Sequence, residues 1–177
     1  MFAAKTVSEV VVIAILYNLE PYGSHVPAYG EVSSAMAKAA NEDPLFPQHE
    51  AGCEVTACIL IALAYQASKF HTSLIREGLG LYQILPPSPE IDGSLLLNPI
   101  NASFIVLDLV RQSFRRCEDR PWFERLSWYV APDTEPSHLT VKKSMERLIL
   151  AQELFRKHFP NSPLPTKLPA LPAKGST

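Results

Sequence analysis

Between Glu50 and Ser68 the chain reads EAGCEVTACILIALAYQAS, and this segment restricts the possible folds more than any other. At helical spacing Val55, Cys58, Ile59, Ala62 and Leu63 form one apolar stripe, while Leu60, Ile61, Ala64 and Tyr65 cover the rest of the circumference. A helix without a wet face has to be surrounded on all sides. The chain therefore needs further helices to pack around this one at 50–68, and apolar periodicity supplies them at about 6–19, 30–41, 99–117, 121–130 and 138–158. Asn98-Pro99 reads as an N-cap followed by proline at the first helical position, after which Ala102, Ile105, Val106, Leu109, Val110 and Ser113 recur on one face. Ser137 is placed to cap the last helix. Its expected apolar face is Val141, Met145, Leu148, Ile149, Gln152 and Phe155, with Lys142, Lys143, Glu146 and Arg147 off that face.

The expectation is a mainly α fold, one domain over 1–159, with a loop or short hairpin region from Phe70 to Pro89 beside the central helix. A length of 177 residues with 47% hydrophobic and 19% charged residues suits a single well-buried core. From Pro160 to Thr177 there are five prolines and almost no apolar period, which reads as an extended, disordered tail.

Several function classes lose support at this point. A net charge of -2 and the lack of any Lys/Arg run argue against a nucleic-acid partner. Val10 to Leu16 (VVVIAIL) is too short to span a bilayer and reads as a core helix, and no small-x-small cleavage site follows it, so no export signal is legible. Cys53, Cys58 and Cys117 read as small buried side chains, with a Cys53–Cys117 or Cys58–Cys117 bridge as the alternative. HEAGCE, from His49 to Glu54, lacks a second histidine at metalloprotease spacing, and Cys58 with His71 lacks an orienting third group. No metal and no cofactor is expected.

The stretch that carries chemistry begins where the central helix ends. Ala67-Ser68 closes the helix, GLYQI follows at Gly80 to Ile84 after a polar loop, and Asn98-Pro99 opens the next helix. In order and spacing these three motifs resemble the lysozyme-like fold of the soluble lytic transglycosylase (SLT domain) family, over about residues 43–129: a buried helix ending in Glu-Ser, a Gly-Leu-Met-Gln-Ile turn, and a helix opening with Asn-Pro. The resemblance implies a lysozyme-like domain that processes peptidoglycan glycan strands, cleaving the MurNAc–GlcNAc bond with a 1,6-anhydro product. It also implies a groove lined by Ser68, Phe70, Gly80, Leu81, Tyr82, Gln83 and Tyr129. Tyr82, in the place of the commoner Met, would offer a flat face to a sugar ring.

Such chemistry needs a carboxylic acid with a raised pKa at the end of a buried helix, where desolvation favours its neutral form. Here the position of the family's Glu holds Ala67, which can neither give nor take a proton. A Tyr-Asn-x-Gly-like motif is also altered: WYVAP keeps Tyr129, but Val130 stands for Asn and Pro132 for Gly. Three explanations compete: a Glu-to-Ala variant of an active enzyme, a glycan-binding or virion or cell-wall structural relative that does not cut, and an acid that has moved.

The candidate for a moved acid is Glu77, between the helix end and the glycine turn, although an exposed loop Glu beside Arg76 is the plainer reading. Glu54 is more than three helical turns away. Glu90 and Asp92 would serve only if their loop folded back. A protein acting on peptidoglycan would work in the periplasm, outside the cell or in a virion. A helical interaction protein in which GLYQI is coincidental is the third class.

Overall fold

The computed structural model describes residues 5–23, 26–76, 78–85, 92–130 and 137–163. Glu77, Glu90, Pro132 and the tail from 164 onward, all singled out in the sequence, lie outside these. Among the described residues six α-helices run in the order α1 Glu9–Leu19, α2 Tyr29–Glu42, α3 Gly52–Ser68, α4 Pro99–Arg116, α5 Ser127–Val130 and α6 His138–His158. Among the described residues there is no strand, only isolated antiparallel bridges pairing Leu79 with Ile75 and with Ile84. The fold is mainly α, and no helix of the described residues is long and apolar enough to cross a membrane.

α3 is the central helix that its composition demands. Every residue from Gly52 to Ala64 is buried, and α1, α2, α4 and α6 all contact it. Thr56, the polar residue in mid-run, donates from its hydroxyl to the Gly52 carbonyl (2.7 Å) and accepts from the Leu45 amide (2.9 Å), so its burial leaves no bond unmade. Cys53, Cys58 and Cys117 are buried free thiols, and burial pushes the Cys58 thiol well above its ordinary range.

The outer helices are fixed by local chemistry. Asn98 caps α4 by accepting from the amides of Ile100 (3.0 Å) and Asn101 (3.1 Å), ahead of Pro99. Ser137 forms a reciprocal capping box with Thr140 at the start of α6. The Asn41 amide group exchanges two hydrogen bonds with the Val7 backbone (2.7 and 2.9 Å), tying the N-terminal segment to α2. Arg111 of α4 grips the end of α2 through both Asp43 carboxylate oxygens (2.8 and 2.6 Å) and the Asp43 carbonyl (2.8 Å).

Two expectations are corrected. The helix expected at 121–130 is a 3-10 turn, Trp122–Glu124, followed by the short α5. Two buried serines take over the backbone bonds of that stretch: Ser144 donates to the Phe123 carbonyl (2.6 Å) and accepts from the Leu126 amide (3.0 Å). Ser113 likewise donates to the Arg125 carbonyl (2.7 Å) and accepts from the Tyr129 amide (2.9 Å). The buried face of α6 is Thr140, Ser144, Leu148, Ala151, Leu154 and Phe155, whereas Met145 and Ile149 are exposed. Small residues lie on the inner side because α6 packs along α3.

Candidate functional site

The end of α3 is where the backbone departs most from ordinary geometry. Among the described residues, the non-glycine residues with positive φ are Lys69 (54°), Phe70 (67°) and Gln83 (50°), and the glycine with positive φ is Gly80 (67°). All four belong to the helix end and the turn that faces it. A left-handed non-glycine residue costs on the order of 1 kcal/mol or more, so this stretch persists only because its surroundings impose it.

Phe70 supplies one such constraint. Its ring is fully buried, edge-on to Tyr29 (centroids 5.6 Å apart) and tilted against Tyr65 (5.6 Å). Burial, followed by the charge of Glu20, pushes the Tyr29 phenol up to about 12. Phe70 is thus a core anchor that holds the chain reversal and not, as the sequence suggested, a side chain facing a substrate.

Ser68 supplies the second constraint. Its buried hydroxyl donates to the Leu81 carbonyl at 2.6 Å, fastening the last turn of α3 to the GLYQI turn. Ser68→Ala should lower stability by about 1–3 kcal/mol, because the buried Leu81 carbonyl loses this donor. A urea midpoint unchanged from wild type would show that the tie carries no weight.

The turn itself is packed from within. A side chain on Gly80 would run into the Leu96 carbonyl, and one on Gly78 into the Gln83 carbonyl. The Gln83 side-chain nitrogen donates to the carbonyls of Leu74 (2.7 Å) and Gly80 (2.8 Å), closing the loop on itself. Its Oε1 is shut from solvent and has no donor. Leu81 is in the core. Tyr82 is 2% exposed, with its hydroxyl 2.9 Å from the Ser103 hydroxyl in the second turn of α4, and burial raises its phenol far above the usual range. Tyr82 therefore offers no face to a sugar ring; it joins the turn to α4.

Ala67 stands one residue before the Ser68 tie, partly exposed in the last turn of α3, with exposed Gln66 and Lys69 on either side of the Ala67-Ser68 pair. The Lys69 ammonium sits 3.3 Å from the Tyr65 ring centroid. Tyr129 is partly buried and is tied to α4 and α6, its amide donating to the Ser113 hydroxyl (2.9 Å) and its ring facing Arg147. Burial pushes the Tyr129 phenol up to about 12 against the lowering influence of Arg147. The structure thus brings Ser68, Gly80, Leu81, Tyr82 and Gln83 into one connected region beside Ala67, and ties Tyr129 to Ser113 and Arg147.

Of the other acids weighed from the sequence, Glu54 and Asp92 are among the described residues, and neither is placed to serve as the acid. Glu54 is buried in the first turn of α3, about 20 Å away along the helix axis. Asp92 is exposed and spends its carboxylate capping the Gly93–Leu97 turn, accepting from the Ser94 hydroxyl (2.6 Å) and amide (2.9 Å), which holds it below the usual carboxylate range. A general acid needs the opposite shift. Among the described residues no cluster of His, Cys, Asp and Glu side chains converges as a metal site.

Sequence reading missed Arg147, which lies on the inner flank of α6 with its guanidinium 5.5 Å from the Tyr129 ring centroid. Its position between Ser144 and Ala151, three and four residues away, was the available signal once those small residues are recognised as the packed face. No family model, no curated protein and no solved structure matches the chain.

Proposed function

We propose that the chain is a lytic-transglycosylase-like, lysozyme-like scaffold for peptidoglycan glycan strands, severely impaired in cleavage because Ala67 occupies the acid's position. The observation that supports this reading best is the Ser68–Leu81 tie. It holds the end of a fully buried helix against a glycine-led turn, with residue 67 at the junction and every positive-φ residue of the described chain gathered around it. Strain of this kind, held in place by the core, is characteristic of sites that must keep a fixed shape.

Co-sedimentation with purified peptidoglycan tests the reading. The unaltered protein should be retained, be released by oligomers of N-acetylglucosamine, and yield no 1,6-anhydro sugars by mass spectrometry. Absence of retention would overturn the glycan reading. The burial of Phe70, Leu81 and Tyr82 favours a second reading, a helical interaction protein in which the turn is a packing element alone. That protein would stay in the supernatant when peptidoglycan is sedimented.

A further inference from the structure

The bonds left unmade in the core fall unevenly. Of the eight side-chain atoms of the described residues that are shut from solvent without a hydrogen-bond partner, Glu54 Oε2, Gln83 Oε1 and His158 Nε2 lie elsewhere, and the other five are Arg125 Nε, Ser127 Oγ, Trp128 Nε1, and both Nε and Nη1 of Arg147. The latter can all donate, and they belong to the α5 region and the α6 residue beside it. Two arginines stack on consecutive α5 aromatics: Arg116 over Trp128 at 4.2 Å and Arg147 over Tyr129 at 5.5 Å.

Arg147 is the more exacting case. None of the ion pairs among the described residues includes it, and Glu146, next in the chain, is exposed. Burial draws its guanidinium below its ordinary value, the mark of a cation without enough compensation. A desolvated charge with unanswered donors is costly, so an acceptor supplied by a ligand gains more here than at a wet surface. Nη2 makes no hydrogen bond and is not among the atoms shut from solvent. Nη2 is therefore the nitrogen that an arriving carboxylate oxygen can reach, and the shielded Nε and Nη1 leave the positive charge there uncompensated.

We propose that Arg147, presented on the Tyr129 ring, recognises a carboxylate of the muramyl unit, on its lactyl group or its stem peptide. This rests on the glycan-strand reading for the identity of the ligand, and on the unpaired guanidinium for its charge. It gives the scaffold a means of telling muramyl strands from neutral N-acetylglucosamine polymers.

The test uses the full chain labelled with nitrogen-15, following the Arg147 Nε–H resonance assigned by its disappearance in Arg147→Lys. N-acetylmuramic acid presents the lactyl carboxylate, muramyl dipeptide presents only peptide carboxylates, and N-acetylglucosamine presents neither. The resonance should shift with one or both muramyl probes and stay still with N-acetylglucosamine, and the probe that moves it identifies the source of the carboxylate. In parallel, Arg147→Met should weaken binding of a muramyl tetrasaccharide by about 10-fold or more while leaving chitotetraose binding unchanged.

A resonance unmoved by both muramyl probes overturns the proposal even if neutral oligomers bind. Movement with the muramyl probes in a protein that fails to bind neutral oligomers keeps the carboxylate site and removes the glycan-strand reading. Should Arg147→Met not fold, the titration of the unaltered chain still decides.

Discussion

Ala67→Glu should make the protein release 1,6-anhydro muropeptides from peptidoglycan, with turnover rising about 10²–10⁴-fold over the unaltered chain, the usual contribution of a positioned general acid and base. The expectation follows from where residue 67 stands. The last turn of α3 carries the negative end of the helix dipole, and thirteen consecutive buried residues precede it from Gly52 to Ala64. The dipole favours the neutral form of a carboxyl group placed there, whereas the partial exposure of residue 67 leaves the group only partly desolvated. Lys69, two residues on, pulls the other way, but its ammonium is engaged with the Tyr65 ring and exposed to water. A single carboxyl would first protonate the leaving oxygen and then draw a proton from the sugar's 6-hydroxyl, so activity should fall as pH rises through its pKa and the donor form is lost.

The controls separate the three explanations. Products from Ala67→Glu alone mean that the scaffold lacks only its acid. Products from the unaltered chain that vanish in Glu77→Ala mean that the acid has moved. Silence from Ala67→Glu in a protein that still binds strands leaves a non-cutting binder, consistent with Val130 and Pro132 in WYVAP.

The central helix was legible because burial on every side leaves its own mark: no arrangement of Val55 to Tyr65 gives a polar face, and the structure wets none of it before Tyr65. The caps at Asn98 and Ser137 were legible for a similar reason, since each is a local bond between a side chain and amides two or three residues on. The inner face of α6 was not. Hydrophobicity points to Met145 and Ile149, but close helix packing selects Ser144 and Ala151, and Ser144 then earns its burial by bridging the broken 121–130 stretch.

The site was half legible. The sequence singled out the helix end and the GLYQI turn as residues, yet three non-glycine residues in left-handed conformation leave no trace in composition. Their reversal turns Phe70 into the core and, with Ser103 as partner for its hydroxyl, Tyr82 as well. Aromatics beside a polar loop were therefore read as ligand platforms when they are the turn's foundations. Arg147 escaped because a charge on a helix is ordinarily solvated, and only its neighbours at three and four residues show that it is not.

Gly80→Ala should destabilise the fold by about 3 kcal/mol, combining the left-handed penalty of an L side chain with the cost of forcing packed atoms apart. Its φ of 67° is one that alanine adopts at a loss. The added carbon also points at the Leu96 carbonyl, a backbone atom that cannot rotate away, and lies 3.2 Å from the Thr72 carbonyl. Relief requires moving the Gly93–Leu97 turn, and with it the Asn98 cap of α4 and the Tyr82–Ser103 bond that reports on it. Gly30→Ala is the matched control, since nothing lies within 4 Å of its added carbon in the first turn of α2. That variant should lose nothing and gain up to about 1 kcal/mol. Urea unfolding of the two variants beside wild type gives the comparison, and a Gly80→Ala midpoint equal to that of Gly30→Ala would mean that the turn is not held against Leu96. At urea-free conditions where Gly80→Ala remains folded, its retention on peptidoglycan should also fall, because displacing the turn moves the Leu81 carbonyl that Ser68 holds beside residue 67. Full retention in a folded, destabilised Gly80→Ala would place glycan binding elsewhere on the surface.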